Sequence, residues 1–336
     1  MKKVALLLAL LVGSFSLVFA GCGGNNNTIR INEVTHSIFY APFYAAINLG
    51  YFEEEGIEID LTNGGGSDQS MTALLSGSAD MALLGPETAV YVVGEGAGNT
   101  PVIVGQLTKR DGSLLVGRVD EPNFSWENLA GKEIIGGRRG GSPAMSLQYA
   151  VELAGNTVGT GVEDCNVNLD VAFNLVVGAF ESGQGDYCTM FEPTASEYVA
   201  SGKGYIVASV GEASGNVPFT CFMAMEKYLE KNEERVVKLL GAVTKAYNYL
   251  VNATDEEILV ALQPSFSTTA DSIIVSSVRN YIEFDAWKSS PVMTEEDFNR
   301  LQDVMENAGE LEARVKFNDV VDNSYAMQAI LRIENA

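Results

Sequence analysis

The sequence predicts an α/β fold of two lobes joined by a hinge that the chain crosses twice, with a helical C-terminal segment. Three observations predict it. Short runs of branched and aromatic residues alternate with longer helical patterns from Ile29 onward, two stretches interrupt that alternation, one with Pro, Asn and charge and the other with Gly, Asn and Pro, and after Glu226 the strand pattern stops. The chain can supply the cores: 46% of its 336 residues are hydrophobic and 9% aromatic, and a length of this order accommodates two domains of about 150 residues.

The elements follow in order. Lys2 and Lys3 precede an apolar run over 4–20 that is too short for a spanning helix and ends in Phe19-Ala20-Gly21-Cys22, so residues 1–21 read as a signal peptide. The Gly/Asn stretch that follows makes 22–28 a flexible tether. Strands are expected over 29–34, 57–61, 81–84, 101–107, 114–118, 133–136, 168–171, 187–191, 205–210 and 219–223, with helices over 42–49, 67–75, 145–154, 175–182 and 194–200 between them. The interruptions, 120–128 and 211–218, are taken as the two crossings. Residues 29–119 together with 219–336 then form a discontinuous first lobe, and 120–218 the second. Acidic–basic helical patterns fill 226–251 and 295–311.

A net charge of −23 excludes a nucleic-acid binder. Enzyme chemistry finds little to stand on: the sequence has a single His and lacks Gly-x-Ser-x-Gly and Cys-x-x-Cys, so most triad and metal mechanisms have no base or ligand set. No catalytic residue, metal or cofactor is expected. Past the Cys22 position, Cys165, Cys188 and Cys221 are odd in number, so they cannot all pair within one chain, and Cys188 and Cys221 read as small buried hydrophobes.

Ligands of open α/β sheets bind beyond the carboxyl ends of the strands, so candidate binding residues are sought in the loops there. After the first strand, His36, Phe39 and Tyr40 come early enough to face a cleft, while Phe43 and Tyr44 pack the following helix. Gly66 and Ser67 follow the second strand, Ser67 as the helix N-cap, in a turn that suits an anionic group or is only a capped turn. Glu87 and Thr88 follow the third, where Glu87 accepts from a ligand donor or merely compensates the helix dipole. In the second lobe, Arg138, Arg139 and Ser142 lie in Gly-Gly-Arg-Arg-Gly-Gly-Ser-Pro, with Ser142 as N-cap and Pro143 opening a helix. Two guanidinium groups at a helix start favour an anion site, against the plainer reading of surface ion pairs. Glu192, in Phe191-Glu192-Pro193-Thr194, reads a ligand donor or holds one of those arginines.

The segment from His36 through Tyr44 to Ala45-Ala46-Ile47-Asn48-Leu49-Gly50-Tyr51-Phe52-Glu53-Glu54-Glu55-Gly56-Ile57-Glu58-Ile59 resembles the N-terminal signature of the nitrate/sulfonate/taurine and thiamine-pyrimidine group of ABC-transporter solute-binding proteins. Gly77-Ser78-Ala79-Asp80-Met81-Ala82 and Phe191-Glu192-Pro193 resemble two further elements of that family, and the resemblance extends from Ile29 to about Ile333. It implies the type II periplasmic-binding-protein fold, closing on a small-molecule solute and presenting it to an ABC importer permease. Phe19-Ala20-Gly21-Cys22 likewise resembles a bacterial lipobox, which implies lipidation of Cys22 and anchoring on the extracytoplasmic face of the cell membrane. A monomer is expected. Family members for oxyanions imply roles for Arg138, Arg139, Ser142 and Ser67; members for heterocycles imply roles for Phe39, Tyr40, Glu87 and Glu192. Both ligand classes stay open. A fold-mate that synthesises the thiamine pyrimidine uses a His with a Cys-rich segment absent here, so such an enzyme is the alternative, as is a receptor feeding a sensor.

Overall fold

A computed structural model describes residues 27–335 except Ala97. The expected leader 1–21, Cys22 and most of the tether 22–28 lie outside the described residues, and Thr28 already belongs to the first strand.

The described strands are β1 (Thr28–Glu33), β2 (Glu58–Asn63), β3 (Met81–Leu84), β4 (Pro101–Thr108), β5 (Leu114–Gly117), β6 (Glu133–Ile135), β7 (Asn166–Asn168), β8 (Tyr187–Met190), β9 (Tyr205–Ser209) and β10 (Thr220–Met225). They form two five-stranded sheets in the orders β2-β1-β3-β10-β4 and β7-β6-β8-β5-β9. β1 runs parallel to β2 and β3, and β6 parallel to β7 and β8. The antiparallel strand of each sheet is the one that arrives from the other lobe. β10 lies antiparallel between β3 and β4, and β5 antiparallel between β8 and β9.

This topology moves the first crossing. The stretch 120–128 was expected to carry it, but β5 pairs with β8 and β9 in the second sheet, so the chain crosses at 109–113 and residues 114–119 belong to the second lobe. Turn-forming composition marks a loop without saying which sheet its flanking strands join; 120–128 is a surface loop inside the second lobe. The return crossing lies between Ser214 and Thr220 and overlaps the expected 211–218. The strand expected at 168–171 forms instead at Asn166–Asn168, and Asp170 makes only an isolated bridge to Arg138.

The helices are α1 (Ala41–Asn48), α2 (Tyr51–Glu54), α3 (Ser67–Ser76), α4 (Glu87–Gly94), α5 (Ser142–Leu153), α6 (Val176–Glu181), α7 (Thr194–Ala200), α8 (Val210–Ser214), α9 (Glu226–Leu250), α10 (Asp255–Leu262), α11 (Asp271–Glu283), α12 (Glu295–Asn307) and α13 (Ser324–Glu334). They cover both faces of each sheet, which explains why the strands read as continuous apolar runs. In β10 the two-residue period sends Phe222 and Ala224 into one core and Cys221, Met223 and Met225 into the other. β5 divides likewise, Leu115 to one side and Leu114 and Val116 to the other. In α9, Val236, Leu239, Leu240, Val243, Ala246 and Leu250 recur at steps of three or four and pack against α1 over the first sheet. The helix kinks at Asn232, whose side-chain amide donates to the Tyr228 carbonyl at 2.8 Å. Two C-terminal helices open on threonine caps: Thr254 forms a capping box with Glu257, and Thr294 accepts from the Asp297 N–H. Cys165, Cys188 and Cys221 are buried and unpaired with one another, and burial raises the Cys165 thiol to about 11.

Candidate functional site

The strands of both sheets, apart from the reversed β5 and β10, point their carboxyl ends at one cavity of about 180 Å³ between the lobes. Each loop brings one part of its wall. Val34 and Thr35 follow β1 with Tyr40 beyond them, the glycines 64–66 with Ser67, Asp68 and Gln69 follow β2, and Gly85 follows β3. From the second lobe come Gly136, Arg138 and the start of α5 after β6, Phe173 and Asn174 after β7, and Phe191 after β8. Phe219 and Thr220 arrive with β10, the strand that re-enters the first lobe.

The wall has two chemical parts. Tyr40, Phe173, Phe191 and Phe219 supply aromatic surface, with Phe173 and Phe191 at 5.8 Å and Phe191 and Phe219 at 6.1 Å between ring centroids. The other part is a charge pair: Arg138 Nε lies 3.7 Å from Asp68 Oδ1, and among the described residues these two are the only charged ones in the wall. The starts of two helices, α3 and α5, also face the cavity, with Gly66 and Gly141 as caps that have no side chain to offer. Glycine at 64 is dictated by space: a Cβ there would stand 2.5 Å from Ser70 Oγ and 2.7 Å from Asn32 Oδ1.

Of the expected binding residues, the structure brings Tyr40, Gly66, Ser67, Arg138 and Ser142 to this wall. Burial raises the Tyr40 phenol far above its ordinary value, so it stays neutral. Ser67 and Ser142 are not N-caps as expected but the first helical residues after Gly66 and Gly141.

The remaining six lie elsewhere, each for a structural reason. His36 turns away to the α10 side: Nε2 meets the Ser265 carbonyl at 2.8 Å, Nδ1 lies 3.3 Å from Glu33, and the ring stacks on Phe266. Tyr44 donates to the same Glu33 carboxylate, and the hydrogen bond to Glu33 raises the His36 pKa above 6.5. Phe39 is buried among Tyr281, Phe191 and Phe219, where it plugs the first crossing: a Cβ on Gly112 would fall 2.3 Å from its ring. Thr88 is buried and returns its hydroxyl to the Gly85 carbonyl at 2.7 Å. Arg139 points outward, its side chain 61% exposed and 3.7 Å from Glu310. Glu87 is wholly buried behind the wall and accepts from the Ser142 N–H at 3.3 Å and its hydroxyl at 2.5 Å. Burial raises the Glu87 pKa, opposed by those two hydrogen bonds and by the charge of Arg138.

Glu192 neither reads the cavity nor holds an arginine. Its buried carboxylate accepts from Ser196 N–H at 3.0 Å, Ser196 Oγ at 2.8 Å and Asn280 Nδ2 at 3.2 Å, fastening the start of α7 to α11. Its carbonyl accepts from Ser37 Oγ and Ile38 N–H of the first lobe, while its own N–H donates to the Tyr281 hydroxyl. Tyr281 in turn donates to the Gly112 carbonyl in the first crossing. The turn is therefore a lobe-to-lobe joint.

Asp68, Gln69, Phe173, Asn174, Phe219 and Thr220 line the cavity without having been expected there. Asp68 and Gln69 adjoin the glycine turn and were within reach of a helical reading, because they occupy the first turn of α3. Phe173 and Asn174 follow the misplaced β7, and Phe219 enters only through the return crossing.

Comparison with known proteins agrees with this architecture. A family model described as NMT1/THI5 like matches residues 38–257. YtlA, a candidate binding protein of Bacillus subtilis (strain 168), is 38% identical over 319 residues, 94% of this chain and 95% of that protein. Among solved structures, the periplasmic aliphatic sulphonate binding protein SsuA of Escherichia coli superposes with a TM-score of 0.66 at 17% identity, over 87% of this chain and 96% of its own. The periplasmic nitrate-binding protein NrtA of Synechocystis PCC 6803 gives 0.68 at 15% identity, over 92% and 90%. Two sheets that each receive one reversed strand from the other lobe, and a cavity at their facing carboxyl ends, are thus a periplasmic-binding-protein fold, and the chain belongs to the NMT1/THI5-like family.

Proposed function

We propose that this chain is a lipid-anchored solute-binding protein, held outside the cytoplasmic membrane through Cys22, that delivers a small organic solute to an ABC importer. The observation that carries the reading is the interlobe cavity itself. Its volume of about 180 Å³ is well above the ~10–15 Å³ one water requires, and both aromatic rings and a single Arg138–Asp68 pair line it. Rings favour an apolar or flat body, and the guanidinium favours one anionic or acceptor-rich group on that body. The two ligand classes open in the sequence merge here: of the carboxylates expected for a heterocycle neither Glu87 nor Glu192 lines the cavity, and of the paired arginines only Arg138 does. No side-chain arrangement of a nucleophile with an activating base lines the cavity among the described residues, which supports binding over turnover.

A thermal-shift panel of alkane- and arenesulfonates, aromatic carboxylates and pyrimidines tests the solute, because a ligand of the native state raises Tm. A stabilising solute is expected in the organic classes, lost in Arg138→Ala and retained in Arg139→Ala. A panel without any stabilising member, or equal losses in the two variants, overturns the reading. Membrane fractionation of Cys22→Ala tests the anchor: the protein should leave the membrane fraction.

A further inference from the structure

The start of α5 forms part of the cavity wall, and a carboxyl of the protein's own stands directly behind it. Glu87, at the start of α4, is fully buried and takes both donors that Ser142 offers, the N–H at 3.3 Å and the hydroxyl at 2.5 Å. Glu87 is itself the first residue of α4, so the starts of α4 and α5 meet at one carboxyl. The fit is tight. A Cβ on Gly85, itself part of the cavity wall, would lie 2.0 Å from a Glu87 oxygen, so the chain carries at 85 a residue without a side chain. Neighbouring contacts hold α5 in place: the Tyr91 hydroxyl of α4 donates to the Gly140 carbonyl at 2.9 Å. The other helix start in the cavity, that of α3, bears Asp68 in its first turn, already facing Arg138.

We propose that Glu87 is a specificity-determining residue: a built-in carboxyl that takes the donors of the α5 start from behind the cavity wall, excludes free inorganic oxyanions there and leaves the cavity to organic solutes. The physical reason is competition. An oxyanion entering there would need the N–H and hydroxyl of Ser142, both already spent, and would bring a second negative group beside a buried carboxyl. An organic solute avoids the conflict by placing its body on the rings and its polar group at Arg138. The inference rests on the solute-binding reading above and deepens it.

Calorimetric titration with inorganic sulfate, and separately nitrate, tests it on the wild type, Glu87→Ala and Glu87→Ala/Ser142→Ala. The wild type should show no saturable binding. Glu87→Ala should gain a saturable sulfate isotherm, weakened about tenfold or more in the double variant, as expected for the loss of a hydrogen bond to a charged group. If Glu87→Ala does not fold, as judged by its melting transition, Glu87→Ser vacates the same space while keeping a residue suited to a helix start. A folded Glu87→Ala or Glu87→Ser that remains indifferent to both anions overturns the proposal. So does saturable sulfate binding by the wild type that Ser142→Ala removes, a result independent of how any Glu87 variant folds. Titration of the organic panel on the wild type keeps the two readings apart. Failure of every organic solute counts against solute binding, whereas the sulfate result on the variants decides the role of Glu87.

Discussion

Glu192 shows how a residue that looks like ligand chemistry can be spent on structure. Its carboxylate satisfies Ser196 twice and Asn280 once inside a fully buried joint, so it does not line the cavity. Glu192→Ala leaves those donors without partners, and the cost should be about 1–3 kcal/mol of stability, read as a lower urea midpoint at unchanged slope. His36 has a different signature. Both ring nitrogens face acceptors, the Ser265 carbonyl and Glu33, and its pKa is raised principally by the Glu33 hydrogen bond. A group whose folded pKa is raised contributes stability that is complete below its unfolded value of 6.5 and is lost as pH rises through the folded one. Melting curves of the wild type should therefore show a loss of Tm above pH 6.5 that His36→Gln flattens.

At the scale of elements, packing distances decide which substitutions a helix or strand tolerates. Leu240 on α9 presses against β4 where Gly105 stands, and a Cβ at 105 would fall 2.5 Å from Leu240 Cδ2. Gly105→Ala should cost about 1–3 kcal/mol by overpacking. Because the clash is with one flexible side chain, Leu240→Ala in the same chain should recover part of that loss, and a double-mutant cycle by denaturant unfolding should give a clear coupling between the two. Additive effects would show that α9 shifts as a body instead. Elsewhere the elements obey local rules. Thr254 and Thr294 stop fraying at the starts of α10 and α12 by accepting from Glu257 and Asp297 N–H groups, and the strands follow the two-residue alternation that buries both sheet faces.

For the whole molecule, the two crossings carry the coupling between lobes. Asp111 sits in the first crossing, wholly buried, with Oδ1 accepting the Ser113 N–H at 2.6 Å, and burial lifts its pKa from 3.8 to about 7. The folded state thus holds a proton that the unfolded state releases between those values. Its stabilising contribution is full below pH 3.8 and falls as pH rises to about 7. Asp111→Asn should remove that segment of the pH dependence and raise Tm at pH 8 relative to the wild type, a window below the one assigned to His36. Tyr281 acts at the same scale, since its hydroxyl joins Glu192 in one lobe to Gly112 in the crossing. The second lobe should loosen on the first in Tyr281→Phe, seen as faster amide exchange at Glu192 and Ile38.

The sequence by itself determined nine of the ten strands among the described residues, the helical C-terminal segment and the loops in which to look for binding. Side-chain period, apolar runs and turn residues are local quantities, and they act within a few positions of where they are read. Tertiary structure alone decided which sheet a strand joins and which way a loop side chain turns. β5 left the first lobe because its partners are β8 and β9, over 60 residues away at the nearest. His36, Phe39, Glu87, Thr88, Arg139 and Glu192 sit in the expected loops yet miss the cavity, because each satisfies a carbonyl, a ring or a charge from a distant segment or its own turn. Tyr40, Gly66, Ser67, Arg138 and Ser142 reach it because their loops end at the facing carboxyl ends of the two sheets, where Arg138 meets Asp68 within the wall and the Ser142 hydroxyl is claimed by Glu87. Pairing between remote segments is a property of the assembled fold, and it is what divides residues near a site from residues in it.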